Sequence, residues 1–131
     1  MSVEGMWAVY FGDVVGGGTN SGIAILETGR VFGGDSFIAY LGRFEVSGNR
    51  VTAKIMTWAY NNSTVVQTAF GRVGPAPTEV TLEGEFNRDN GKMGTILGWL
   101  WESANPGTKL TAKLVKIENL PNPQVASIDL T

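Results

Sequence analysis

A β-hairpin is the clearest pattern in this chain, and it constrains the fold more than any other feature. An alternating run over residues 37–46 leads into the turn Ser47-Gly48-Asn49, and a second alternating run follows over 50–60. Alternation with a period of two is typical of a β-strand. Glycine and asparagine tolerate the backbone angles of tight hairpin turns. The sequence therefore predicts two adjacent antiparallel strands.

Similar runs, separated by glycine, asparagine and proline, occur along most of the chain. They predict further strands at 5–11, 22–28, 30–35, 64–70, 78–86, 93–102 and 109–117. The run at 64–70 is the least regular, and one helical turn is also possible there. No stretch shows the 3.6-residue period of an amphipathic helix.

About eight short strands without helices indicate an antiparallel sandwich or barrel. Closure into a small up-and-down β-barrel is favoured, because it removes the exposed edges that strands otherwise leave. The length of 131 residues fits one domain. We expect a single all-β barrel domain over residues 1–118 and an irregular C-terminal tail over 119–131.

The composition argues against several kinds of function. The chain has no histidine and no cysteine, so it lacks the commonest general base, the commonest transition-metal ligand and any thiolate. We therefore expect that the chain is not an enzyme and that it has no catalytic residue, no cofactor and no metal site. The net charge is −2 and the ten lysines and arginines are scattered, so direct binding of nucleic acid is not expected.

The N-terminus lacks the basic start and apolar run of a signal peptide. The apolar runs are also far shorter than the roughly 20 residues that span a bilayer. We expect a cytoplasmic protein without a membrane partner.

Two sets of residues invite a closer interpretation. Gly33 and Gly34 lie inside a strand pattern and predict a bulge or sharp bend, and Asp35 is placed to accept backbone N–H bonds that lock it. Glu83 and Glu85 predict a solvated strand face, with Lys109 or Lys113 as a cross-strand partner.

Two strands carry apolar residues on both faces, which predicts a contact between chains or with a partner. The residues proposed for this outer face are Met56, Trp58, Ile96 and Leu100. Aromatic residues could instead line an internal cavity, because an eight-stranded barrel is just wide enough for one small ligand.

The chain also resembles a known family. Gly5-Met6-Trp7 is similar to the G-x-W of lipocalin-like, or calycin, barrels, in which a basic residue of the last strand packs over the tryptophan. Here that residue would be Lys113 or Lys116. Over residues 5–55 the succession of motifs resembles the bacterial GrlR family of negative regulators of type III secretion, and the marks are Gly5, Trp7, Gly22, Gly29, Gly33, Gly34, Asp35, Tyr40, Gly42 and Val51.

The resemblance implies a cytoplasmic, dimeric, lipocalin-like barrel that binds a protein, in the namesake a transcriptional activator that is kept from DNA. The namesake contacts its activator through an acidic EDED run in a loop. Here the corresponding loop, Ser47-Gly48-Asn49-Arg50, contains no acid, so that contact does not carry over.

The expected function is that of a non-enzymatic regulatory binding protein, GrlR-like, which acts as a homodimer and sequesters a protein partner such as a transcriptional regulator. The alternative is a small lipocalin-like carrier of an apolar ligand inside the barrel.

Overall fold

A computed structural model describes residues 3–12, 20–60, 66–68, 71–73, 76–88 and 93–121. Within these residues the chain forms strands and turns and no helix. The strands are β1 (Gly5–Phe11), β2 (Asn20–Glu27), β3 (Arg30–Gly34), β4 (Ile38–Ser47), β5 (Arg50–Ala59), β6 (Val66–Thr68), β7 (Gly71–Val73), β8 (Thr78–Asn87), β9 (Thr95–Glu102) and β10 (Asn105–Glu118). The described residues accordingly contain no helix long and apolar enough to cross a membrane.

Eight of the strands close into one antiparallel barrel in the order β1-β10-β9-β8-β5-β4-β3-β2. Consecutive barrel strands are neighbours, and β1 pairs with both β2 and β10. The prediction of an all-β, up-and-down barrel of about eight strands is therefore confirmed. The predicted strand at 64–70 corresponds to β6, which pairs with β7 in a separate two-stranded sheet. Residues 64, 65, 69 and 70 lie outside the described part of the chain.

The strongest predicted hairpin is present. Strand β4 pairs with β5 in an unbroken register from Ile38↔Ala59 to Ser47↔Arg50, and Gly48 in the turn has a φ of 62°. The last strand, β10, begins at Asn105, earlier than the sequence predicts, with a register shift before Leu110. Of the predicted tail, residues 119–121 form no strand and 122–131 are not described.

The core lies inside the barrel, where every second residue of each strand points. Trp7, Val51 and Ile96 are fully buried. The indole Nε1 of Trp7 donates a hydrogen bond of 2.8 Å to the carbonyl oxygen of Val3. Its ring meets that of Phe86 edge to face, with 6.1 Å between the ring centroids. Such a contact adds to the burial of apolar area that dominates the stability of small domains.

The assignment of Ile96 and Leu100 to an outer face is wrong. Both side chains belong to the core, with exposed fractions of 0% and 9%. The register of β9 with β8 and β10 sends these positions inward and sends Leu97 and Trp99 outward. Because β9 is apolar on both sides, the sequence pattern did not distinguish the two faces.

The predicted bulge at Gly33 and Gly34 is also absent. Strand β3 keeps its register through both glycines, against β2 and against β4. A Cβ atom on Gly33 would lie 2.0 Å from the carbonyl oxygen of Ile23, so glycine is needed there for the close approach of β2. The change of direction comes one residue later, at Asp35, whose N–H bonds the carbonyl oxygen of Ile38.

The inside and outside of β9 can be tested with a pair of neighbouring substitutions. We expect Ile96→Ala to lower the free energy of unfolding by about 2–5 kcal/mol, since it opens a cavity in the core. We expect Leu97→Ala, at a position 48% exposed in the single chain, to change it by less than about 1 kcal/mol when the protein is dilute enough to be monomeric. Urea unfolding followed by tryptophan fluorescence measures both. Equal losses would contradict the assignment.

Candidate functional site

Asp35 forms the turn between β3 and β4. Its Oδ1 accepts the N–H groups of Phe37 and Ile38 at 2.9 and 2.8 Å, and its Oδ2 accepts the hydroxyl of Tyr40 at 2.8 Å. Both carboxylate oxygens are therefore engaged within the turn. These bonds give Asp35 a structural role, and it is not placed as a free acid or base.

Tyr40 points into the barrel beside this turn. Burial of the phenol raises the pKa of Tyr40 above its usual range, and the hydrogen bond to Asp35 and the carboxylate charge raise it further. The hydroxyl consequently stays protonated and remains a donor to Asp35. The Asp35–Tyr40 pair is thus a fixed polar contact at the start of β4.

The outer surface of β1 to β5 carries a continuous uncharged patch, which we call the apolar face. The face consists of two adjacent rows that cross the five strands in register. One row is Met6, Ile25, Phe32, Leu41 and Met56, and the other is Ala8, Ile23, Gly34, Ala39 and Trp58. Contiguous exposed apolar surface of this kind marks interaction sites on many proteins.

Several of these side chains remain substantially open to solvent. Leu41 is 49% exposed and Ile23 is 41% exposed, although both occupy the middle of the sheet rather than a loop. Of the residues proposed from the sequence, Met56 and Trp58 lie on the apolar face, opposite Leu41 and Ala39 of β4. The structure does not bring Ile96 and Leu100 to this surface.

The sequence reasoning missed most of the apolar face. Ile23, Ile25, Phe32 and Leu41 were not among the residues proposed from the sequence for an outer surface. Strand β2 contains Ile23-Ala24-Ile25-Leu26, so it carries apolar residues on both of its faces. That property was the available signal, and it was used only for β5 and β9.

A row of cations borders the apolar face on one side, and we call it the basic row. It consists of Arg30, Arg43 and Lys54, which lie directly opposite one another on β3, β4 and β5. Arg30 bonds Glu27 at 3.1 Å, and Lys54 lies 4.0 Å from Glu79. Arg43 forms no ion pair with any of the described residues.

A second exposed surface lies on β9, which we call the β9 face and define by Leu97, Trp99 and Trp101. Leu97 and Trp99 are each 48% exposed. The ammonium of Lys109 lies 5.1 Å from the ring centroid of Trp101 and 5.9 Å from that of Trp99, within the range of cation–π attraction.

The predicted cross-strand partner of Glu83 and Glu85, Lys109 or Lys113, is wrong, because both lysines lie on β10, which does not pair with β8. Glu83 pairs with Arg50 of β5, at 2.6 Å between Nη1 and Oε1, and the predicted Lys109 lies over the tryptophans. The reason is that β8 lies between β5 and β9, and β10 is one strand further away.

Gly5, Trp7 and Lys116 lie together where β1 meets β10. Lys116 lies directly opposite Trp7 in the β1–β10 pair and is only 8% exposed, whereas Lys113 lies opposite Tyr10. Burial lowers the pKa of Lys116, and the positive charge of Arg88 lowers it further. A Cβ on Gly5 would lie 2.5 Å from the Cε of Lys116, so the lysine stem fills the space that glycine leaves.

No group of three or more histidine, cysteine, aspartate or glutamate side chains with metal-binding geometry occurs in the described ranges. Comparison with protein-family models and with curated proteins finds no match to this chain. The features of this chain that bear on its function are the apolar face and the β9 face.

The contact between Tyr40 and Asp35 predicts a pH dependence of stability. Above pH 10 the unfolded tyrosine loses its proton while the folded one keeps it, so the free energy of unfolding falls as the pH rises. We expect this decline, at most about 1.4 kcal/mol per pH unit, to be steeper in the wild type than in Tyr40→Phe. Urea unfolding at pH 8, 9, 10 and 11 measures it. Parallel curves for the two proteins would contradict the prediction.

Proposed function

We propose that this chain is a non-enzymatic regulatory binding protein, which sequesters a protein partner such as a transcriptional regulator on its apolar face. The observation that carries the proposal is the two uncharged rows across β1 to β5. Burial of such side chains against a partner supplies the main favourable term in protein association. A strand face that only contacts water would be expected to carry polar side chains, whereas this face presents Phe32 and Leu41.

Four acidic side chains are held in contacts within the chain, which supports binding rather than catalysis at these positions. Glu27, Glu79 and Glu83 form ion pairs on the outer surface, and Asp35 is held by the turn. An acid or base catalyst needs a titratable group free to reach a substrate. The pairing leaves these four carboxylates with structural roles.

The resemblance to the GrlR family supports the same proposal, because it implies a cytoplasmic lipocalin-like barrel that acts by binding a protein. The turn Ser47-Gly48-Asn49-Arg50 lacks the acids of the namesake's contact loop. We therefore assign the partner contact to the apolar face instead of this turn.

Two substitutions of equal exposure test the role of the apolar face. Leu41 is 49% exposed on this face and Leu97 is 48% exposed on the β9 face. We expect affinity capture from the cell that produces the protein to retain a partner with the wild type and with Leu97→Asp, and to lose it with Leu41→Asp. The reason is that a buried unpaired carboxylate opposes docking. Retention of the same proteins by all three baits would refute the proposal.

The homodimer belongs to the β9 face in this proposal. Glu85 of β8, Leu97 of β9 and Lys113 of β10 form one cross-strand row, with an acid on one side of the leucine and a base on the other. A two-fold axis along β9 would place Glu85 of each copy opposite Lys113 of the other. Such self-complementarity is what an isologous dimer requires.

Light scattering at micromolar concentration tests the dimer. We expect about 28 kDa for the wild type and for Leu41→Asp, which is twice the 14.0 kDa of one chain. We expect Leu97→Asp to give the mass of one chain, because the carboxylate would be buried at the centre of the interface. A wild-type mass of one chain would show that the dimer is wrong.

The carrier of an apolar ligand remains a second candidate. Val9, Phe11 and Ile55 pack against the core and are only partly buried, so the barrel interior is less tightly closed there than around Trp7. Native mass spectrometry of freshly purified protein is expected to show a bound small molecule if the chain is a carrier. The mass of protein alone would remove this candidate.

A further inference from the structure

We propose that the partner docks through an apolar protein segment bordered on one side by carboxylates, which the apolar face and the basic row bind together. This inference rests on the proposed function and names the chemistry of the partner. It follows from the arrangement of charge around the apolar face.

The basic row places like charges directly opposite one another. Arg43 has Arg30 on one side and Lys54 on the other. Like charges in this position disfavour the sheet. Arg30 and Lys54 each form an ion pair with an acid, at 3.1 and 4.0 Å, whereas Arg43 forms none with any described residue. A carboxylate from a partner is the group that would relieve the repulsion at Arg43.

The basic row is continuous with the apolar face. Each of its members lies two residues along a strand from the nearest apolar row, which is about 7 Å. The Arg30 guanidinium lies 5.4 Å from the ring centroid of Phe32, so cation and apolar surface are in contact. One partner segment can therefore reach both at once, with its carboxylates about 7 Å to one side of its apolar contacts.

The apolar face has a shallow depression where the two small residues Gly34 and Ala39 are paired. Larger side chains surround this pair: Ile23 and Trp58 on the neighbouring strands, and Phe32 and Leu41 along the same strands. A bulky apolar side chain of the partner fits above the two small residues. Anchors of this kind carry much of the binding energy in protein interfaces.

A protein segment fits this surface better than an anionic membrane. Recognition of anionic lipids typically uses clusters of four to eight lysines and arginines. The basic row has three cations, and Glu27 and Glu79 lie beside two of them. A border that mixes cations with acids can bind a few carboxylates at fixed positions of a protein segment, and it is less suited to the uniformly negative surface of a membrane.

Two synthetic peptides test the charge requirement. Both are 18-residue helices with the same leucine stripe, and one carries glutamates and the other lysines along one flank. In fluorescence anisotropy we expect the glutamate peptide to bind wild-type protein at least tenfold more tightly, with an affinity that falls as salt is added. Equal binding, preference for the lysine peptide or no binding of either would overturn the inference.

Variants of the protein locate the binding. We expect Arg43→Glu to weaken binding of the glutamate peptide at least tenfold. We expect Ala39→Leu to weaken binding of both peptides, because the leucine fills the depression in the apolar face. Arg50→Glu is the matched control, since Arg50 lies on β5 outside the basic row and forms a surface pair with Glu83. We expect it to change binding less than twofold. Circular dichroism confirms that each variant is folded.

The outcomes separate this inference from the proposed function. If Leu41→Asp abolishes capture of the partner while the peptides are not distinguished, the partner chemistry is wrong and the binding role stands. If Leu41→Asp affects neither capture nor peptide binding, both are wrong. Sedimentation with phosphatidylserine vesicles that is lost in Arg43→Glu, in the absence of peptide discrimination, would assign the face to membranes instead.

Discussion

Pairing of the first strand with the last is the interaction on which the rest of this structure depends. Strand β1 joins β10 from Met6↔Glu118 to Phe11↔Ala112, and this pairing closes the sheet. Without it both strands would be open edges that could pair with other chains. Closure also gives the sheet one inside, where Trp7 is fully buried and Lys116 is held opposite it.

Closure requires the strands to approach one another closely, and glycine permits this at particular positions. A Cβ on Gly33 or Gly98 would lie 2.0 Å from a carbonyl oxygen of the adjacent strand. The glycine pair of β3 therefore serves the curvature of the barrel without interrupting the register. Asp35 then ends the strand, because its carboxylate satisfies two backbone N–H groups that the turn leaves unpaired.

The same geometry produces the surfaces on which the proposed function rests. Once alternate residues point inward, the remaining apolar residues of β1 to β5 must point to solvent, and register aligns them in two rows. The basic row is aligned by the same pairs, Arg30↔Arg43 and Arg43↔Lys54. Neither surface is continuous in the sequence, because each takes only one or two residues from each of several consecutive strands.

The sequence by itself determined the all-β class, the main hairpins and the tendency to close, because alternation and turn chemistry are local properties. It also placed Met56 and Trp58 on an outer surface. Only the tertiary structure decided that Ile96 and Leu100 are core and that Leu97 and Trp99 are exposed. A strand apolar on both sides fits either orientation, and a shift of one residue exchanges its faces. Pairing with β8 and β10 fixes that choice, and the register of this pairing is not visible in the apolar pattern of β9 itself.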